Sequence, residues 1–486
     1  MRATERYHPS LALLTDLYQL TMAYGYWKAG LVDHHACFHL FFRTNPFEGG
    51  YTLAAGLPDA LDYIDHVRFG EEDVAFLGGL TSADGAPLFE PGFLAYLRDL
   101  RLEVDVDAVP EGTVVFPNEP LMRVSGPIPQ CQLLETPLLN LTNFPSLIAT
   151  KAARVCDAAR GAPVIEFGLR RAQGPDGGVT AARAAYVGGC TSTSNVLAGR
   201  LYDIPVKGTH AHSWVMSFDQ DRAAFRAWAE AMPGNCIFLV DTYHSIEGVH
   251  TAVEVGRELR ERGHEMIGVR LDSGDLAELS IAARRILDEG GFPDAKILGS
   301  GDLDEHAIDD LAERGGIVQL WGVGTHMTTG RPDAALNGVY KLAAVKAPGG
   351  EWEPRIKVSD SPAKTTIPGR LAVRRYRRRG VLQADAIHDV DRTPGATVVD
   401  PADENHRHTF GRDVEHEDVL VPVVRGGRST YTVPPLADTR ARARRQVESL
   451  PDSVRRRREP EPYFVGLDEA LFERRATLIG EHTTER

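Results

Sequence analysis

The sequence predicts an α/β fold in which parallel strands alternate with helices, preceded by an N-terminal α/β domain and followed by a C-terminal lobe. Between about residues 160 and 345, short runs rich in Val and Ile alternate with helical patterns, which is typical of parallel strands joined by crossover helices. Six of these runs end in a short polar segment. The length of 486 residues favours two or three domains over one.

The first 130 residues lack this alternation. A helical pattern covers residues 15–29, and extended patterns cover residues 37–42 and 114–116. We therefore expect a separate N-terminal α/β domain, which we bound at residues 1–131.

The middle of the chain carries the alternating pattern. The candidate strands lie at residues 164–166, 204–206, 237–240, 266–270, 297–298, 317–320 and 339–345. The candidate helices lie at residues 221–231, 246–262, 276–289 and 303–314, each ending near Gly or Pro. We expect these elements to form a parallel barrel within residues 132–345.

After about residue 346 the chain becomes rich in Arg and in loops, and we expect residues 346–486 to form a C-terminal lobe that ends in amphipathic helices. Its basic runs, at residues 374–379 and 455–458, are interpreted as solvent-exposed faces. With 54 Lys and Arg against 68 Asp and Glu, the net charge of -14 offers no broad cationic surface, so we expect no nucleic-acid partner.

Three features predict a cytoplasmic location and no membrane partner. The five cysteines are scattered without a CxxC pair, which fits a reducing compartment. Glu5, His8 and Pro9 interrupt the stretch where a signal peptide needs an apolar core. No run approaches the roughly 20 apolar residues of a membrane span.

The polar segments that follow the candidate strands are the candidate functional loops. They lie at residues 166–170, 207–212, 241–245, 270–275, 299–302 and 322–326. Because the carboxyl ends of the strands in a parallel barrel meet at one mouth, we expect the active site there.

Two glycine-rich turns follow consecutive strands and predict a phosphate site. Each turn holds two glycines and a hydroxyl-bearing residue, namely Gly299, Ser300 and Gly301 in the first and Gly322, Gly324 and Thr325 in the second. Glycine lets the backbone approach a ligand, and the N-terminus of the following helix favours negative charge. The sequence therefore predicts a phosphate cradle at these turns.

The segment 270–275 combines one cation with two carboxylates. Strand alternation places Arg270 and Asp272 on the same side. In a phosphate-binding mouth, carboxylates hold Mg²⁺ or accept ribose hydroxyls, and Asp241 adds to such a Mg²⁺ shell. Arg offers a two-pronged contact to a carboxylate or phosphate. The alternative is a surface ion pair with Asp275 as a helix cap.

His210 and His212 lie two residues apart, and each is a candidate nucleophile, proton carrier or metal ligand. A metal site would need further ligands from neighbouring loops, such as His244 and His326. A histidine that accepts a phosphoryl group beside a phosphate site fits the pattern better. Spacing alone does not choose between the two histidines.

Several motifs, in this order, resemble those of nicotinate phosphoribosyltransferases. They are Leu-Thr-Asp-Leu-Tyr-Gln-Leu-Thr-Met from residue 14, Glu-Phe-Gly-Leu-Arg-Arg-Ala-Gln-Gly from 166, Gly-Thr-His-Ala-His-Ser-Trp from 208, Gly-Val-Arg-Leu-Asp-Ser-Gly-Asp from 268, Ser-Gly-Asp-Leu-Asp-Glu from 300, Gly-Val-Gly-Thr from 322, Val-Tyr-Lys-Leu-Ala from 339 and Lys-Val-Ser-Asp-Ser-Pro-Ala-Lys-Thr-Thr-Ile-Pro-Gly from 357. The resemblance covers about residues 11–470.

The resemblance implies the fold of the type II phosphoribosyltransferases, which is an irregular seven-stranded α/β barrel between an N-terminal α/β domain and a C-terminal lobe. It also implies the first step of NAD salvage, in which nicotinate and phosphoribosyl pyrophosphate give nicotinate mononucleotide and pyrophosphate. ATP as co-substrate and Mg²⁺ as cofactor are implied in the same way.

Roles for single residues follow from the same resemblance. His212 resembles the histidine that ATP phosphorylates. Tyr18 and Phe167 resemble the two rings that sandwich the pyridine, with Tyr18 supplied by the partner subunit of a homodimer. Arg270 and Thr209 resemble residues that bind nicotinate. The remaining matches are implied contacts to phosphate, ribose or Mg²⁺, namely Arg170, Asp241, Asp272, Ser300, Gly301, Gly324 and Thr325.

Position 194 predicts the substrate. Nicotinamide-specific relatives carry an acidic residue where this chain has Ser194, and a carboxylate there would repel nicotinate. We therefore expect the acid as substrate. Quinolinate-using relatives are shorter and lack the ATP-linked histidine motif.

Two other classes of function remain as alternatives. A barrel aldolase or isomerase would need a Schiff-base lysine or a general base in the mouth, and Lys207 is the one lysine in the six segments. A catalytically inactive ligand sensor would have no use for His212, Arg270 and Asp272.

Overall fold

The computed structural model describes residues 11–361, 364–411 and 414–484. Glu5, His8 and Pro9, and Pro362 and Ala363 of the last motif, lie outside the described residues. The chain divides into two compact units. The terminal unit combines Met1–Leu147 with Ala335–Arg486, and the central unit is Ile148–Ala334. The division into domains 1–131, 132–345 and 346–486 stays a prediction.

The elements follow one another in three stretches of the chain. The first contains α1 (Leu17–Lys28), β1 (His35–Phe41), β2 (Thr52–Leu53), α2 (Leu57–His66), α3 (Glu71–Gly78), α4 (Pro91–Asp99), β3 (Asp105–Ala108), β4 (Val114–Val115), β5 (Met122–Pro127), α5 (Ile128–Leu133) and α6 (Glu135–Ala158). The second contains β6 (Val164–Glu166), α7 (Gly174–Val187), β7 (Ser192–Thr193), α8 (Val196–Tyr202), α9 (His212–Met216), α10 (Asp221–Ala231), β8 (Ile237–Leu239), α11 (Ser245–Glu261), β9 (Gly268–Leu271), α12 (Leu276–Glu289), β10 (Lys296–Gly301), α13 (Glu305–Glu313), β11 (Leu320–Val323) and α14 (Thr325–Thr329). The third contains β12 (Val339–Lys346), β13 (Glu353–Pro354), β14 (Leu371–Arg378), β15 (Val381–Asp389), β16 (Thr397–Val399), β17 (Arg407–Thr409), β18 (Glu415–Asp418), β19 (Val421–Arg425), β20 (Arg428–Ser429), α15 (Leu436–Glu448), α16 (Asp452–Arg455), β21 (Val465–Asp468) and α17 (Glu469–Thr484).

The terminal unit contains two large sheets. The first has the strand order β13-β12-β1-β5-β3-β19-β20 and is antiparallel throughout. Strand β1 is buried along most of its length because β5 and β12 flank it on both sides. The second sheet has the order β17-β16-β21-β15-β14-β18, and its one parallel pair is β15 with β21.

The second sheet of the terminal unit corrects one prediction about the basic run at residues 374–379. Arg375 is fully buried, whereas we interpreted this run as a solvated face. Alternation along β14 turns successive side chains to opposite faces, so one arginine enters the interior, where Asp385 balances its charge.

The central unit is built on a six-stranded parallel sheet with the order β7-β6-β11-β10-β9-β8. The helices follow from amphipathic sequences. In α12, for example, Asp275 caps the first turn, and the buried residues Leu276, Ser280, Ala283 and Leu287 recur at helical spacing. Such helices pack their apolar stripes on the sheet, as in other α/β folds.

Most predicted elements of the central unit are confirmed. The strands at 164–166, 237–240, 266–270 and 297–298 correspond to β6, β8, β9 and β10, and the helices at 221–231 and 276–289 match α10 and α12. The strand predicted at 317–320 begins three residues later, at Leu320. These strands read clearly in the sequence because they are short, buried and bounded by polar turns.

One strand prediction is wrong, and a second is confirmed as a strand but not as part of the parallel sheet. The segment 204–206 contributes one parallel bridge, from Val206 to Thr193, next to the short strand β7 that we did not predict. The segment 339–345 forms β12, which pairs antiparallel with β1 in the terminal unit and does not join the parallel sheet. An apolar run indicates burial, but it does not specify the partner strand. None of the described helices is both long and apolar enough to cross a membrane.

Candidate active site

The predicted functional residues converge at the carboxyl ends of neighbouring strands in the central unit. Strand β11 lies between β6 and β10, and β9 lies on the other side of β10. Phe167 follows β6, Arg270 lies near the end of β9, Ser300 near the end of β10, and Gly324 just after β11. Since these strands are parallel, the residues meet at one edge of the sheet, as the sequence predicts.

Arg270 is the centre of a hydrogen-bond cluster at this edge. Its Nε donates to Ser300 Oγ at 2.7 Å, and its Nη1 donates to Thr209 Oγ1 at 3.2 Å. Its Nη2 donates to Asp272 Oδ1 at 2.6 Å, so the predicted placement of Arg270 and Asp272 on one side is confirmed. The Arg270 side chain is 13% exposed, which leaves the guanidinium reachable from solvent.

Two carboxylates, Asp272 and Asp241, lie in consecutive loops of this cluster. Burial raises the pKa of the Asp272 carboxyl, but the hydrogen bond from Ser300 (2.5 Å) and the charge of Arg270 outweigh it and hold the pKa below its usual value. Asp241 Oδ2 accepts from the Asp272 backbone N–H at 2.8 Å and from Ser273 Oγ at 2.7 Å. Asp241 therefore orders the loop that carries Asp272.

Asp275 has a different role from Asp272. Its Oδ1 accepts from the backbone N–H groups of Ala277 (3.1 Å) and Glu278 (3.2 Å), and its Oδ2 pairs with Arg314 at 2.5 Å. The alternative of a helix cap with a surface ion pair therefore holds for Asp275 and not for Asp272.

The ring of Phe167 covers the Arg270 cluster. The guanidinium carbon of Arg270 lies 5.4 Å from the ring centroid, within the range of a cation–π contact. The Phe167 N–H donates to the Val323 carbonyl at 2.8 Å and so continues the pairing of β6 with β11. A Cβ at Gly322 would lie 2.5 Å from the ring, so glycine is needed there for the ring to pack.

The two glycine-rich turns lie side by side, because Ser300 of β10 and Gly322 of β11 are paired. Gly301 has φ +119°, and a Cβ there would lie 2.6 Å from the Asp272 carbonyl oxygen. This turn therefore needs glycine for its backbone conformation and for its close approach to the Asp272 loop.

The helices after these turns differ from the expectation. Asp304 caps α13, with Oδ1 accepting from the backbone N–H groups of His306 (3.0 Å) and Ala307 (2.8 Å). The chain's own carboxylate thus occupies the N-terminus that we expected to favour a phosphate. Helix α14 begins at Thr325 directly after Gly324, but it has only five residues.

His210 and His212 lie in different environments. His210 is buried against Trp228 with ring centroids 5.0 Å apart, and its Nε2 accepts from the Leu239 N–H at 3.3 Å. Burial lowers the pKa of His210 to about 4, so this ring is neutral and fixed. His212 is partly exposed, with Nδ1 3.2 Å from Thr242 Oγ1 and Nε2 3.9 Å from Asp272 Oδ2. Of the two, His212 is the histidine that a second molecule can reach.

The geometry does not favour a histidine metal site. His326 faces Asp302 and Asp304 at 3.4 and 3.8 Å, and His244 precedes α11. Within the residues that the structure describes, no group of three or more His, Cys, Asp or Glu side chains is arranged to hold a metal. The nearest titratable partner of His212 is instead Asp272.

Two predicted site residues belong to other elements than those of the Arg270 cluster. Arg170 is exposed, in a single helical turn at Leu169–Arg171. Tyr18 belongs to the terminal unit, where it lies on α1 and is 48% exposed. The contacts among Arg270, Asp272 and Ser300 do not depend on either of them.

Two further residues of the site were not predicted from the sequence. Thr242 contacts His212, and the buried Glu166 accepts hydrogen bonds from the Gly168 N–H and, at 2.6 Å, from Thr193 Oγ1. Both lie in the polar segments that follow candidate strands, but a single threonine or glutamate there has no spacing pattern that marks it.

Comparison with known proteins identifies relatives along nearly the whole chain. Three family models match it: the nicotinate phosphoribosyltransferase (NAPRTase) N-terminal domain at residues 13–143, the NAPRTase family at 163–380 and the NAPRTase C-terminal domain at 370–475. Nicotinate phosphoribosyltransferase from Bacillus subtilis is 38% identical over 97% of this chain and 96% of its own length. The human protein of that name is 37% identical over 94% of this chain and 95% of its own. The crystal structure of human nicotinic acid phosphoribosyltransferase superposes with a TM-score of 0.83 at 35% identity, covering 96% of this chain and 99% of that one.

Proposed function

The chain belongs to the nicotinate phosphoribosyltransferase family, and from that premise we propose that it forms nicotinate mononucleotide and pyrophosphate from nicotinate and 5-phosphoribosyl 1-pyrophosphate. This reaction is the first step of NAD biosynthesis from nicotinate. We place it in the cytoplasm, on the strength of the scattered cysteines, which form no CxxC pair.

The observation that carries the proposal is the Arg270 cluster beneath the Phe167 ring. Three of the five N–H groups of Arg270 are engaged by the described residues Ser300, Thr209 and Asp272, which leaves two for a ligand carboxylate. A pyridine ring stacked on Phe167 brings a carboxylate toward this guanidinium. Ser194, in place of an acidic side chain, adds no repulsion to an anionic substrate.

The phosphoribosyl group is assigned to the two glycine-rich turns and the adjoining loops. Gly301 and Gly324 let the backbone approach the ligand, and Thr325 and Arg170 supply donors, while the Ser300 hydroxyl donates to Asp272 and holds that carboxylate in place. Asp272 is the acceptor proposed for the ribose hydroxyls, because its Oδ2 faces away from Arg270 toward His212.

The carboxylate oxygens of Asp241 and Asp272 fit Mg²⁺ that is held jointly with a substrate. Asp241 Oδ1 is buried without a hydrogen-bond partner among the described residues, and Asp272 lies in the adjacent loop. Mg²⁺ is commonly held by one or two carboxylates together with substrate phosphates, so two aspartates without a third protein ligand suit it. When bound, the ion would neutralise charge on the pyrophosphate leaving group.

The reaction is a displacement at the anomeric carbon of the ribose. The bond from C1 to the pyrophosphate oxygen breaks, the pyridine nitrogen forms the new bond to C1, and the ribose passes through an oxocarbenium-like state. The attacking nitrogen carries no proton, so no general base is required. Catalysis therefore depends on positioning by Phe167 and Arg270 and on charge neutralisation at the pyrophosphate.

ATP coupling is proposed to act through His212. Its ring is partly exposed, Thr242 contacts one ring nitrogen, and Asp272 lies 3.9 Å from the other. A neutral imidazole accepts the γ-phosphoryl group of ATP with release of ADP, and the phosphoryl group is then transferred to water. His210 is unsuited to this role because it is buried and its Nε2 already accepts a backbone hydrogen bond.

We further propose that the protein forms a homodimer with shared active sites. Leu17, Tyr18 and Met22 are large apolar or aromatic side chains exposed on α1. Such residues suit a subunit interface, and the resemblance assigns Tyr18 to the pyridine site of the partner.

The wild-type reaction tests the proposed function. Purified protein with nicotinate, phosphoribosyl pyrophosphate and Mg²⁺ is expected to release pyrophosphate and nicotinate mononucleotide in equal amounts, and ATP is expected to increase the yield. Absence of the nucleotide with and without ATP would contradict the proposal.

A further inference from the structure

Glu166 is a buried carboxyl group that the proposed mechanism does not use. It is the last residue of β6 and directly precedes Phe167. Its side chain is almost fully buried, and burial raises the pKa of its carboxyl. A buried carboxyl group is costly unless it is hydrogen-bonded, so the hydrogen-bond partners of Glu166 indicate what it does beside the Phe167 ring.

Both carboxyl oxygens of Glu166 have hydrogen-bond donors. Oε1 accepts from the Gly168 N–H on the far side of Phe167, and Oε2 accepts from Thr193 Oγ1 at 2.6 Å. The backbone carbonyl of Glu166 also accepts from the Ser194 N–H at 2.9 Å. One residue thus fixes the ends of the neighbouring strands β6 and β7.

Thr193 extends this network beyond β7. Its Oγ1 accepts from the Asn195 N–H at 2.9 Å, and the Asn195 side chain accepts from the Ala198 N–H at 3.1 Å to cap α8. Thr193 itself is fully buried. The segment that carries Ser194 is therefore held from both sides by hydrogen bonds that lead back to Glu166.

The surroundings of Phe167 leave little room for adjustment. A Cβ at Gly168 would lie 2.8 Å from Glu166 Oε1 and would also contact Thr328. A Cβ at position 322 would lie 2.5 Å from the Phe167 ring, so glycine is the residue type that fits there. Close packing at Gly168 and Gly322 and the hydrogen bonds of Glu166 to the neighbouring backbone together restrict the segment that carries the Phe167 ring.

We propose that Glu166 is a positioning residue for the pyridine site, which sets the Phe167 ring against Ser194 and so contributes to the choice of nicotinate over nicotinamide. The inference rests on the proposed function. A carboxylate suits the position better than an amide because both of its oxygens accept, whereas an amide would turn an NH₂ group toward the Gly168 N–H or toward Thr193.

The test compares Glu166→Gln with wild type for both substrates. A misplaced ring weakens both the binding of nicotinate and its positioning for attack, so KM for nicotinate is expected to rise about 10-fold and kcat is expected to fall as well. The preference for nicotinate over nicotinamide is expected to fall by about 10-fold, while KM for phosphoribosyl pyrophosphate stays at the wild-type value.

Thr193 provides a matched pair of variants. Thr193→Val removes the hydroxyl with little change in volume and is expected to reproduce the effect on KM, whereas Thr193→Ser keeps the hydroxyl and is expected to resemble wild type. If the two residues act as one unit, the Glu166→Gln/Thr193→Val protein is expected to be little worse than either single variant. Should Glu166→Gln fail to fold, the Thr193 pair decides the question alone.

The outcomes separate the inference from the proposed function. Variants that are less stable but keep the wild-type KM for nicotinate and the wild-type preference would overturn the positioning role. A wild-type protein that neither converts nor binds nicotinate would contradict the proposed function, and the inference with it.

Discussion

Two arginines with similar partners, Arg270 in the central unit and Arg375 in the terminal unit, differ in their access to solvent. Each lies on a strand, pairs with an aspartate and faces a phenylalanine ring, Phe167 at 5.4 Å and Phe116 at 5.6 Å. The Arg375 side chain is fully buried, whereas that of Arg270 is 13% exposed at the end of its strand.

The partners of the two arginines explain the difference. Arg375 Nε and Nη2 both donate to Asp385, at 2.5–3.0 Å, and Nη1 donates to Gln446 at 3.2 Å. Tyr463 donates to the same carboxylate at 3.0 Å and stacks on Phe116. Two of the three groups that hold Arg270 are hydroxyls, and 13% of its side chain stays exposed. Removing one partner of a closed ion pair is strongly destabilising, whereas a partly exposed arginine is available to a ligand carboxylate.

The largest expected effect concerns the open cluster and the histidine beside it. With γ-labelled ATP, wild type is expected to acquire label that is lost in acid and stable in base, as for a phosphoramidate, and His212→Ala is expected to acquire none. His210→Gln, which keeps an acceptor for the Leu239 N–H, is expected to label like wild type. The slower reaction without ATP is expected to persist in His212→Ala. Label on His212→Ala would move the assignment to another residue.

The closed cluster is expected to affect stability instead. Arg375→Ala leaves the buried Asp385 carboxylate without its cation and is expected to lower the free energy of unfolding by about 3–5 kcal/mol. Arg270→Ala is the matched control, with an expected loss of about 1 kcal/mol because its site is open to water. Urea unfolding of the two variants measures the contrast. Equal losses in the free energy of unfolding would show that the two clusters do not differ in their contribution to stability.

The smallest effect is a pH dependence of the closed cluster. Burial, and next the charge of Asp385, raise the pKa of Glu119 well above its usual value, whereas the unfolded chain has an ordinary pKa of about 4.3. The contribution of this group to stability is therefore complete below about pH 4.3 and is lost as the pH rises through the raised folded pKa.

Glu119→Gln is expected to lack this dependence. It retains the volume of the side chain and a hydrogen-bond donor toward Asp385. The stability of wild type relative to Glu119→Gln is expected to fall as the pH rises above about 4.3, where the unfolded group titrates. If the stability of both proteins depends on pH in the same way in urea unfolding, the raised pKa of Glu119 is contradicted.

The sequence was sufficient where local pattern determines structure. Strands β6, β8, β9 and β10 are short apolar runs with polar ends, and the spacing of Arg270 and Asp272 placed them on one side of β9. The pairing of β12 with β1 was missed because partner choice depends on contacts between residues about 300 positions apart. The burial of Arg375 was missed because it depends on Asp385 and Gln446, which lie on other elements.

The candidate site shows the same limit. The glycine-rich turns and the two histidines were visible as motifs, but the choice between His210 and His212 required the Leu239 N–H and Trp228, which come from other elements. Glu166 opens the motif that contains Phe167, yet its proposed role depends on Thr193, 27 residues further along the chain.

The central claim is that the Arg270 guanidinium keeps two N–H groups available to bind the carboxylate of the substrate. The most direct measurement is kcat/KM for nicotinate and for nicotinamide in wild type and in Arg270→Ala. Wild type is expected to prefer nicotinate by at least about 100-fold, equivalent to about 2.7 kcal/mol, and Arg270→Ala is expected to lose nearly all of this preference because nicotinamide carries no charge for the guanidinium to pair with. A preference that persists in Arg270→Ala, or equal rates in wild type, would contradict the account.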